Sequence, residues 1–377
     1  MSWVVHHGDC RDVLASLPES SVDTVICDPP YGLAFMGKEW DRQVPGPPYW
    51  QAALRVAKPG ALLLAFGGTR TFHLLAAAIE DAGWEIRDCL SWLYGSGFPK
   101  SLAIDKAGAG DGWKGWGTAL KPAWEPIILA MRPLDGTFAE NAQRHGVAGL
   151  AIDAARLRLR PGEVVVAGMA DPANRAGVVG RAMQANSDRE RNNRAQRESP
   201  ERANTLGRWP ANVLLDEEAA AALDEQAGER TSGKAPASGF VRHAGDEPAG
   251  VYGAGKGLWK GEQVAGSLYG DTGGASRFFY VAKAARSERG TGNDHPTVKP
   301  VELMRYLCRL TRTPTGGTVL DPFCGSGSTG VAALAEGRDF IGVEIDAHNA
   351  DIARRRIAAA DPIGRQESLL DAMTEGA

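Results

Sequence analysis

Residues 318–330, TVLDPFCGSGSTG, join a short apolar run to a glycine-rich turn, and this junction decides the fold. The run Thr318–Asp321 is a predicted strand, and apolar spacing predicts a helix over 329–336 directly after the turn. A second strand over 340–343 and a second helix over 347–358 follow at short intervals. Strands that alternate with helices over short connections form parallel sheets, so the sequence predicts an α/β fold.

The glycine-rich turn also predicts a ligand site. Glycines let the backbone come close to a ligand where a β-carbon would collide. Glu344 ends the next strand, 17 residues beyond Gly327, where a carboxylate can accept the hydroxyls of a ribose. The same glycines fit GxGxxG, so an NAD-dependent oxidoreductase and a purely structural turn both stay open. Only 33 residues follow Glu344, which favours a nucleoside cofactor that needs half of a dinucleotide-binding sheet.

A second candidate site lies near the start of the chain. The β-branched run Val22–Cys27 predicts a buried strand, and Asp28-Pro29-Pro30-Tyr31 follows it at the strand end where α/β folds bind ligands. The Asp28 carboxylate and the Pro29 carbonyl could accept both hydrogens of an exocyclic amino group, whose lone pair is otherwise delocalised into the base. Pro29 and Pro30 fix the loop, and Tyr31 offers a flat face to an extruded base. A structural turn with Asp28 as a capping residue is the alternative.

These two motifs, in this order, resemble the β-group of S-adenosylmethionine-dependent DNA amino-methyltransferases, in which the catalytic half precedes the cofactor half. The resemblance implies a Rossmann-like methyltransferase fold with circularly permuted motif order. Its sheet is expected to be mostly parallel and seven-stranded, with an antiparallel edge strand from 84–131. Val22–Cys27 and residues 318–320 are expected to be central neighbours, which would bring the two motifs to one cleft.

The resemblance also implies the S-adenosylmethionine site. Residues 7–10 are similar to the family segment around the adenine of the cofactor, and 295–303 to the HPTxKP segment beside its methionine part. No metal is implied. The catalytic residues would be Asp28, Pro29, Pro30 and Tyr31, and the cofactor-binding residues Asp9, Cys10, Thr297, Lys299, Pro300, Asp321, Phe323, Gly325, Ser326, Gly327, Ser328, Thr329 and Glu344.

The middle of the chain breaks the strand–helix rhythm and is rich in Gly, Arg and Asn. Residues 154–208 contain 11 Arg against 6 Asp and Glu, and arginine suits phosphate and guanine contacts. A solvated insertion is the alternative interpretation. The predicted organisation is a catalytic half over 1–133, an inserted target-recognition region over 134–290, a cofactor half over 291–360 and a tail over 361–377.

The sequence therefore predicts methylation of adenine N6 in double-stranded DNA after base flipping. Cytosine N4 is the alternative, because the same chemistry applies, and Asp28 before the two prolines favours adenine by resemblance. An oxidoreductase is less favoured, since no acid or base for hydride transfer can be identified. An intact Asp28 speaks against a DNA-binding protein without activity.

Composition limits the partners and the compartment. The net charge of −4 gives no positive field over the whole surface, so any DNA contact must be local. The 5 cysteines are scattered, which argues for a reducing compartment and against structural zinc. No signal peptide or membrane span is evident, so a cytoplasmic location is expected. The resemblance is compatible with two further partners, a second copy of the chain in a homodimer and a cognate restriction enzyme.

Overall fold

A computed structural model of the chain describes residues 1–33, 41–97, 101–159, 204–231, 272–282, 293 and 298–360. The chain divides into two compact units. One unit comprises Met1–Ala155, Pro210–Ala222 and Phe279–Ala377, and the other comprises Arg156–Trp209 and Leu223–Phe278. None of the helices in the described ranges has the length and apolar character that a membrane span requires.

The first unit is built on one large sheet. Within the described residues, nine strands form it in the order β1-β11-β10-β2-β3-β5-β4-β6-β9. In the described ranges the strands are β1 Trp3–His7, β2 Val22–Cys27, β3 Ala57–Phe66, β4 Glu85–Leu93, β5 Trp124–Met131, β6 Val213–Asp216, β7 Arg230–Thr231, β8 Thr272–Gly273, β9 Tyr280–Ala282, β10 Thr318–Asp321 and β11 Asp339–Glu344. The helices are α1 Cys10–Ser16, α2 Pro47–Val56, α3 Phe72–Asp81, α4 Phe138–His145, α5 Glu217–Ala227, α6 Val301–Leu310, α7 Ser328–Ala335 and α8 Ala347–Ala360.

The expected central pair is confirmed. Strands β2 and β10 are parallel neighbours, with Val319 opposite Thr24 and Leu320 opposite Val25. Strand β11 pairs in parallel with β10 on one side and β1 on the other. The two ends of the chain therefore form one continuous sheet, as the permuted motif order requires, and the Rossmann-like methyltransferase fold is confirmed.

Two details of the expected sheet are wrong. The sheet has nine strands in the described residues instead of seven, because β6 and β9 from the middle of the chain extend it beyond β4 through parallel pairs. The antiparallel strand also lies inside the sheet and not at its edge. It is β5, which pairs in antiparallel fashion with β3 and with β4. The region 134–290, expected to be one insertion, thus contributes in part to the sheet.

Each face of the sheet carries a layer of helices. Successive strand residues point to opposite faces, so Ile26 belongs to one core while Val25 and Cys27 belong to the other. Helices α1, α2 and α3 cover the face of Val25, and α6, α7 and α8 cover the face of Ile26. Both faces are buried, which explains why every residue of β2 is buried.

The second unit has its own short pairings among its described residues. Strands β7 and β8 pair in antiparallel fashion, and Leu157 bridges Arg208. The Arg156 guanidinium lies 5.1 Å from the centre of the Trp209 ring. Of the 11 arginines counted over 154–208, Arg156, Arg158 and Arg208 lie within the described ranges, and the others lie outside the described residues.

Candidate active site

A cavity of 1720 Å³ opens at the carboxyl ends of the central strands. Its walls include residues that follow β1, β2, β10 and β11, because neighbouring parallel strands end at the same edge of a sheet. Pockets for a single small molecule usually measure about 300–1,000 Å³. The cavity therefore has room for two molecules side by side.

The loop after β2 is held rigidly at this cavity by a buried carboxylate. Asp41, 2% exposed, accepts hydrogen bonds from the backbone N–H of Tyr31 at 2.6 Å and of Gly32 at 3.0 Å. The Thr71 hydroxyl donates to the Tyr31 carbonyl at 2.6 Å. These bonds fix the loop, and they place Asp28, Pro29, Pro30 and Tyr31 together on the cavity wall.

Asp28 belongs to a cluster of four polar groups. The Lys299 ammonium lies 2.8 Å from Asp28 Oδ2 and 3.2 Å from Glu125 Oε2. The Tyr31 hydroxyl lies 2.8 Å from Asp28 Oδ1 and 3.1 Å from Glu125 Oε2, and it accepts a hydrogen bond from Lys299 at 3.1 Å. Since the hydroxyl has one hydrogen, it can donate to only one of the two carboxylates at a time.

The two carboxylates of this cluster stabilise the positive charge of Lys299 and disfavour ionisation of Tyr31. Burial acts to lower the pKa of Lys299, but Asp28 and Glu125 outweigh it and raise that pKa above its ordinary value. Burial, together with the two carboxylates, raises the pKa of Tyr31 well above its ordinary value. Lys299 is therefore a cation and Tyr31 a neutral hydroxyl at physiological pH.

The glycine-rich turn after β10 is tied to the end of β11. The Gly325 N–H donates to Glu344 Oε2 at 2.7 Å, and the Asp346 N–H donates to Oε1 at 3.0 Å. Asp321, buried at the end of β10, accepts from the Phe323 N–H at 3.0 Å, and burial raises the pKa of its carboxyl to about 7. Gly325 adopts φ +52°, a left-handed conformation that favours glycine.

Other predicted cofactor residues line the cavity from α1 and from the turn after β10. Asp9 caps α1 by accepting from the Arg11 N–H at 2.9 Å, and it also pairs with the Arg11 guanidinium at 2.6 Å. Cys10 is buried beside it. Phe323 packs its ring against Trp50, with the ring centres 5.8 Å apart. Ten of the predicted cofactor residues line the cavity: Asp9, Cys10, Lys299, Asp321, Phe323, Gly325, Ser326, Ser328, Thr329 and Glu344.

Three predicted cofactor residues are not on this wall. A β-carbon on Gly327 would come within 3.0 Å of Ala353 in α8, so this glycine permits close helix packing. Pro300 precedes α6, and its carbonyl accepts from the Met304 N–H at 3.1 Å. Thr297 lies outside the described residues.

Two residues of the site carried no role in the sequence interpretation. Asp41 and Glu125 lie in the segments 32–41 and 120–126, to which the sequence assigned no function. Both carboxylates lie among other charged residues, Lys38, Glu39 and Arg42 around Asp41 and Lys121 before Glu125, so no local pattern marked them. Only the structure brings both of them to the loop after β2.

The charge of the described cavity wall discriminates between cofactor classes. The wall carries more carboxylates than cationic side chains. It would therefore repel a pyrophosphate and attract a sulfonium or an ammonium group. The wall therefore favours a positively charged nucleoside cofactor over a dinucleotide. The wall holds seven carboxylates, Asp9, Asp28, Asp41, Glu125, Asp321, Glu344 and Asp346, against four cationic side chains, Arg42, Arg70, Lys121 and Lys299.

The fold and this wall define an α/β enzyme with a nucleoside cofactor. The chain also matches the family model described as DNA methylase, whose name covers N6 and N4 methyltransferases, over residues 22–355. The chain belongs to this family. S-adenosylmethionine, the methyl donor of the family, is its cofactor.

Individual relatives match shorter stretches. The DNA adenine methyltransferase YhdJ of Escherichia coli K12 is 40% identical over 74 residues, 20% of this chain and 25% of the relative. The type II methyltransferase M2.DpnII of Streptococcus pneumoniae is 46% identical over 65 residues, 17% of this chain and 24% of the relative. The chain thus matches about a quarter of the length of each. Among solved structures, the DNA modification methylase TTHA0409 of Thermus thermophilus, complexed with S-adenosylmethionine, shows 16% identity and a TM-score of 0.43, covering 96% of this chain and 97% of that one.

Proposed function

We propose that this chain methylates adenine N6 in double-stranded DNA. The observation that carries the proposal is the junction of β2 and β10. Asp28 follows β2, the cofactor turn follows β10, and the two strands are hydrogen-bonded neighbours whose loops line one cavity. The amino group of a base on Asp28 would therefore face the cofactor held by the turn and Glu344.

The groups at the site divide the work of the reaction. The Asp28 carboxylate and the Pro29 carbonyl accept the two amino hydrogens, which biases the nitrogen toward tetrahedral geometry and frees its lone pair. Asp41 keeps the loop in position through the Tyr31 and Gly32 N–H groups. S-adenosylmethionine supplies an electrophilic methyl group on a sulfonium. Asp321 and Glu344 support the turn that holds it.

Double-stranded DNA as substrate is supported by an exposed aromatic pair near the cavity. Trp113 and Trp116 are 46% and 61% exposed, and their ring centres lie 5.5 Å apart. Residues 118–122, which follow this pair in the chain, line the cavity. Exposed aromatic faces stack on bases or wedge between them, which helps to extrude a nucleotide. The arginines of 154–208 are a second proposed contact with DNA.

Trp113→Ala and Trp116→Ala are each expected to weaken DNA binding about 5- to 100-fold, because one stacked aromatic contributes roughly 1–3 kcal/mol. Cofactor affinity should not change. The measurement is fluorescence anisotropy of a labelled duplex at fixed salt. Phe138→Ala is the matched control, since Phe138 is a comparably exposed aromatic on α4. Equal losses in the control and in the tryptophan variants would remove this support.

The choice of base is tested by sequencing modified bases in DNA from cells that express the chain. The expected result is N6-methyladenine at one recurrent sequence, which would also reveal the recognition site. Recurrent N4-methylcytosine would show that the methylated group is cytosine N4 and not adenine N6. Absence of both, with active cofactor binding, would contradict the proposal.

A further inference from the structure

Lys299 contacts the catalytic loop, although the sequence resemblance assigned it to the cofactor. Its ammonium touches Asp28, Glu125 and the Tyr31 hydroxyl, and lies 4.9 Å from the centre of the Phe66 ring. The side chain is only 12% exposed. An ammonium this well enclosed is held by its two carboxylates and has little water to replace them.

The same ammonium separates two carboxylates. Asp28 and Glu125 are 22% and 20% exposed, and both touch Lys299 and the Tyr31 hydroxyl. Carboxylates that share one site repel each other, and without a cation between them one takes up a proton at a higher pH. A protonated Asp28 would donate a hydrogen bond where the proposed chemistry needs an acceptor.

We propose that Lys299 and Glu125 are a positioning pair for Asp28: Lys299 gives Asp28 a fixed cationic partner that orients it as an acceptor, and Glu125 holds the lysine in place. The proposal rests on the proposed methylation of an amino group. Glu125 is suited to this task because it belongs to β5, whose interior position in the sheet makes it a fixed support. When the amino group approaches Asp28, the ammonium keeps a carboxylate partner in Glu125.

The other titratable groups near Asp28 come from four elements. Cys27 precedes it in β2, Tyr31 follows it in the loop, Asp321 ends β10, and Tyr94 follows β4 beside Glu125 and Lys299. The two tyrosines and Cys27 stay neutral, because burial and the nearby carboxylates raise their pKa values. Burial raises the pKa of Asp321 to about 7, and its carboxylate accepts from the Phe323 N–H of the cofactor turn.

Lys299→Met is expected to move the acid limb of the rate–pH profile to higher pH by about one unit or more, the effect of a nearby charge on a carboxylate. The form in which Asp28 and Glu125 are both ionised is the active one. In the variant this form persists only at higher pH, so the rate falls at the acid end of the profile and recovers as the pH rises. The measurement is the single-turnover rate of methyl transfer from saturating S-adenosylmethionine between pH 5 and 9.

Removing the second carboxylate should reverse this shift. In Lys299→Met/Glu125→Gln, Asp28 has no neighbour to repel it within the cluster, so the acid limb is expected to return toward that of the unmodified protein. Glu125→Gln alone should leave the limb where it was or move it slightly lower. Cofactor affinity, measured by calorimetry at each pH, should be equal in all four proteins, which also verifies that each variant folds.

The outcomes separate the two ideas. If the unmodified protein methylates no amino group, the proposed function fails and the pair has nothing to position. If it does, but Lys299→Met lowers the rate equally at every pH and the double variant does not recover, the lysine is only structural and the inference is overturned. A loss of cofactor affinity in Lys299→Met would return the lysine to the cofactor site and also overturn it.

Discussion

Replacing Asp28 with alanine is expected to slow methyl transfer a few hundred-fold without changing the affinity for S-adenosylmethionine. The variant loses the charged acceptor of one amino hydrogen, and a contact that strengthens in the transition state is worth about 3–4 kcal/mol, roughly a few hundred-fold in rate. The glycine-rich turn and Glu344 hold each other through the Gly325 N–H and do not depend on Asp28. The measurement is single-turnover methyl incorporation into duplex DNA.

Asp28→Asn is the matched control for charge. It keeps an oxygen acceptor at the same place but cannot attract Lys299 as an anion, so its rate should fall between those of alanine and the unmodified protein. Thermal unfolding of both variants would show whether the protein keeps its stability while Asp41 and Thr71 still hydrogen-bond the Tyr31 backbone. A near-normal rate for Asp28→Ala would mean that the loop is a structural turn.

Glu344→Ala is expected to weaken S-adenosylmethionine binding by roughly 100-fold, since a hydrogen bond to a charged group contributes about 1.5–3 kcal/mol. The variant removes the acceptor proposed for the ribose and releases the Gly325 and Asp346 N–H groups that it now holds. Calorimetric titration measures the change directly. DNA binding in the absence of cofactor should not change.

Asp351→Ala provides the control for this variant. Asp351 is a carboxylate on α8 that pairs with Arg354 and is 61% exposed. Its removal should leave cofactor affinity within about twofold of the original, because surface ion pairs contribute little. If Glu344→Ala also bound S-adenosylmethionine normally, the acidic end of β11 would have no part in cofactor binding, and the assignment of the turn would need another partner.

The strands and turns that build the site could be predicted because local sequence decides them. Apart from Asp23, Val22–Cys27 is a β-branched and apolar run, which is typical of a strand buried on both faces. Proline and glycine mark the turns that follow β2 and β10. The pairing of β2 with β10 required the family resemblance, since the two strands are far apart in the chain and periodicity contains no information on partners.

The extent of the sheet could not be predicted. Strands β6 and β9 have four and three residues, too short for an alternating pattern to stand out from a loop. Their place in the sheet depends on pairing with β4 and with each other, which are contacts between distant parts of the chain. The interior position of β5 likewise depends on its pairing with both β3 and β4.

The sequence also could not predict which way individual side chains point. Gly325 and Gly327 belong to one motif, yet Gly325 lines the cavity and Gly327 permits α7 to pack against α8. Lys299 belongs to a segment similar to a cofactor motif but reaches Asp28, and Glu125 sits at a strand start where nothing nearby in sequence marks it. These assignments depend on three-dimensional proximity, which a single sequence does not encode in readable form.

The most direct test of the central claim is the identity of the methylated nucleoside. Duplex DNA is incubated with the purified chain and S-adenosylmethionine whose methyl group carries deuterium, then digested to nucleosides and analysed by mass spectrometry. The expected product is deuterated N6-methyladenine, with cytosine N4 as the alternative amino group, and little of either with Asp28→Ala. A label on a ring carbon such as cytosine C5, or unchanged labelling by Asp28→Ala, would contradict the account of this loop as an amino-methylation site.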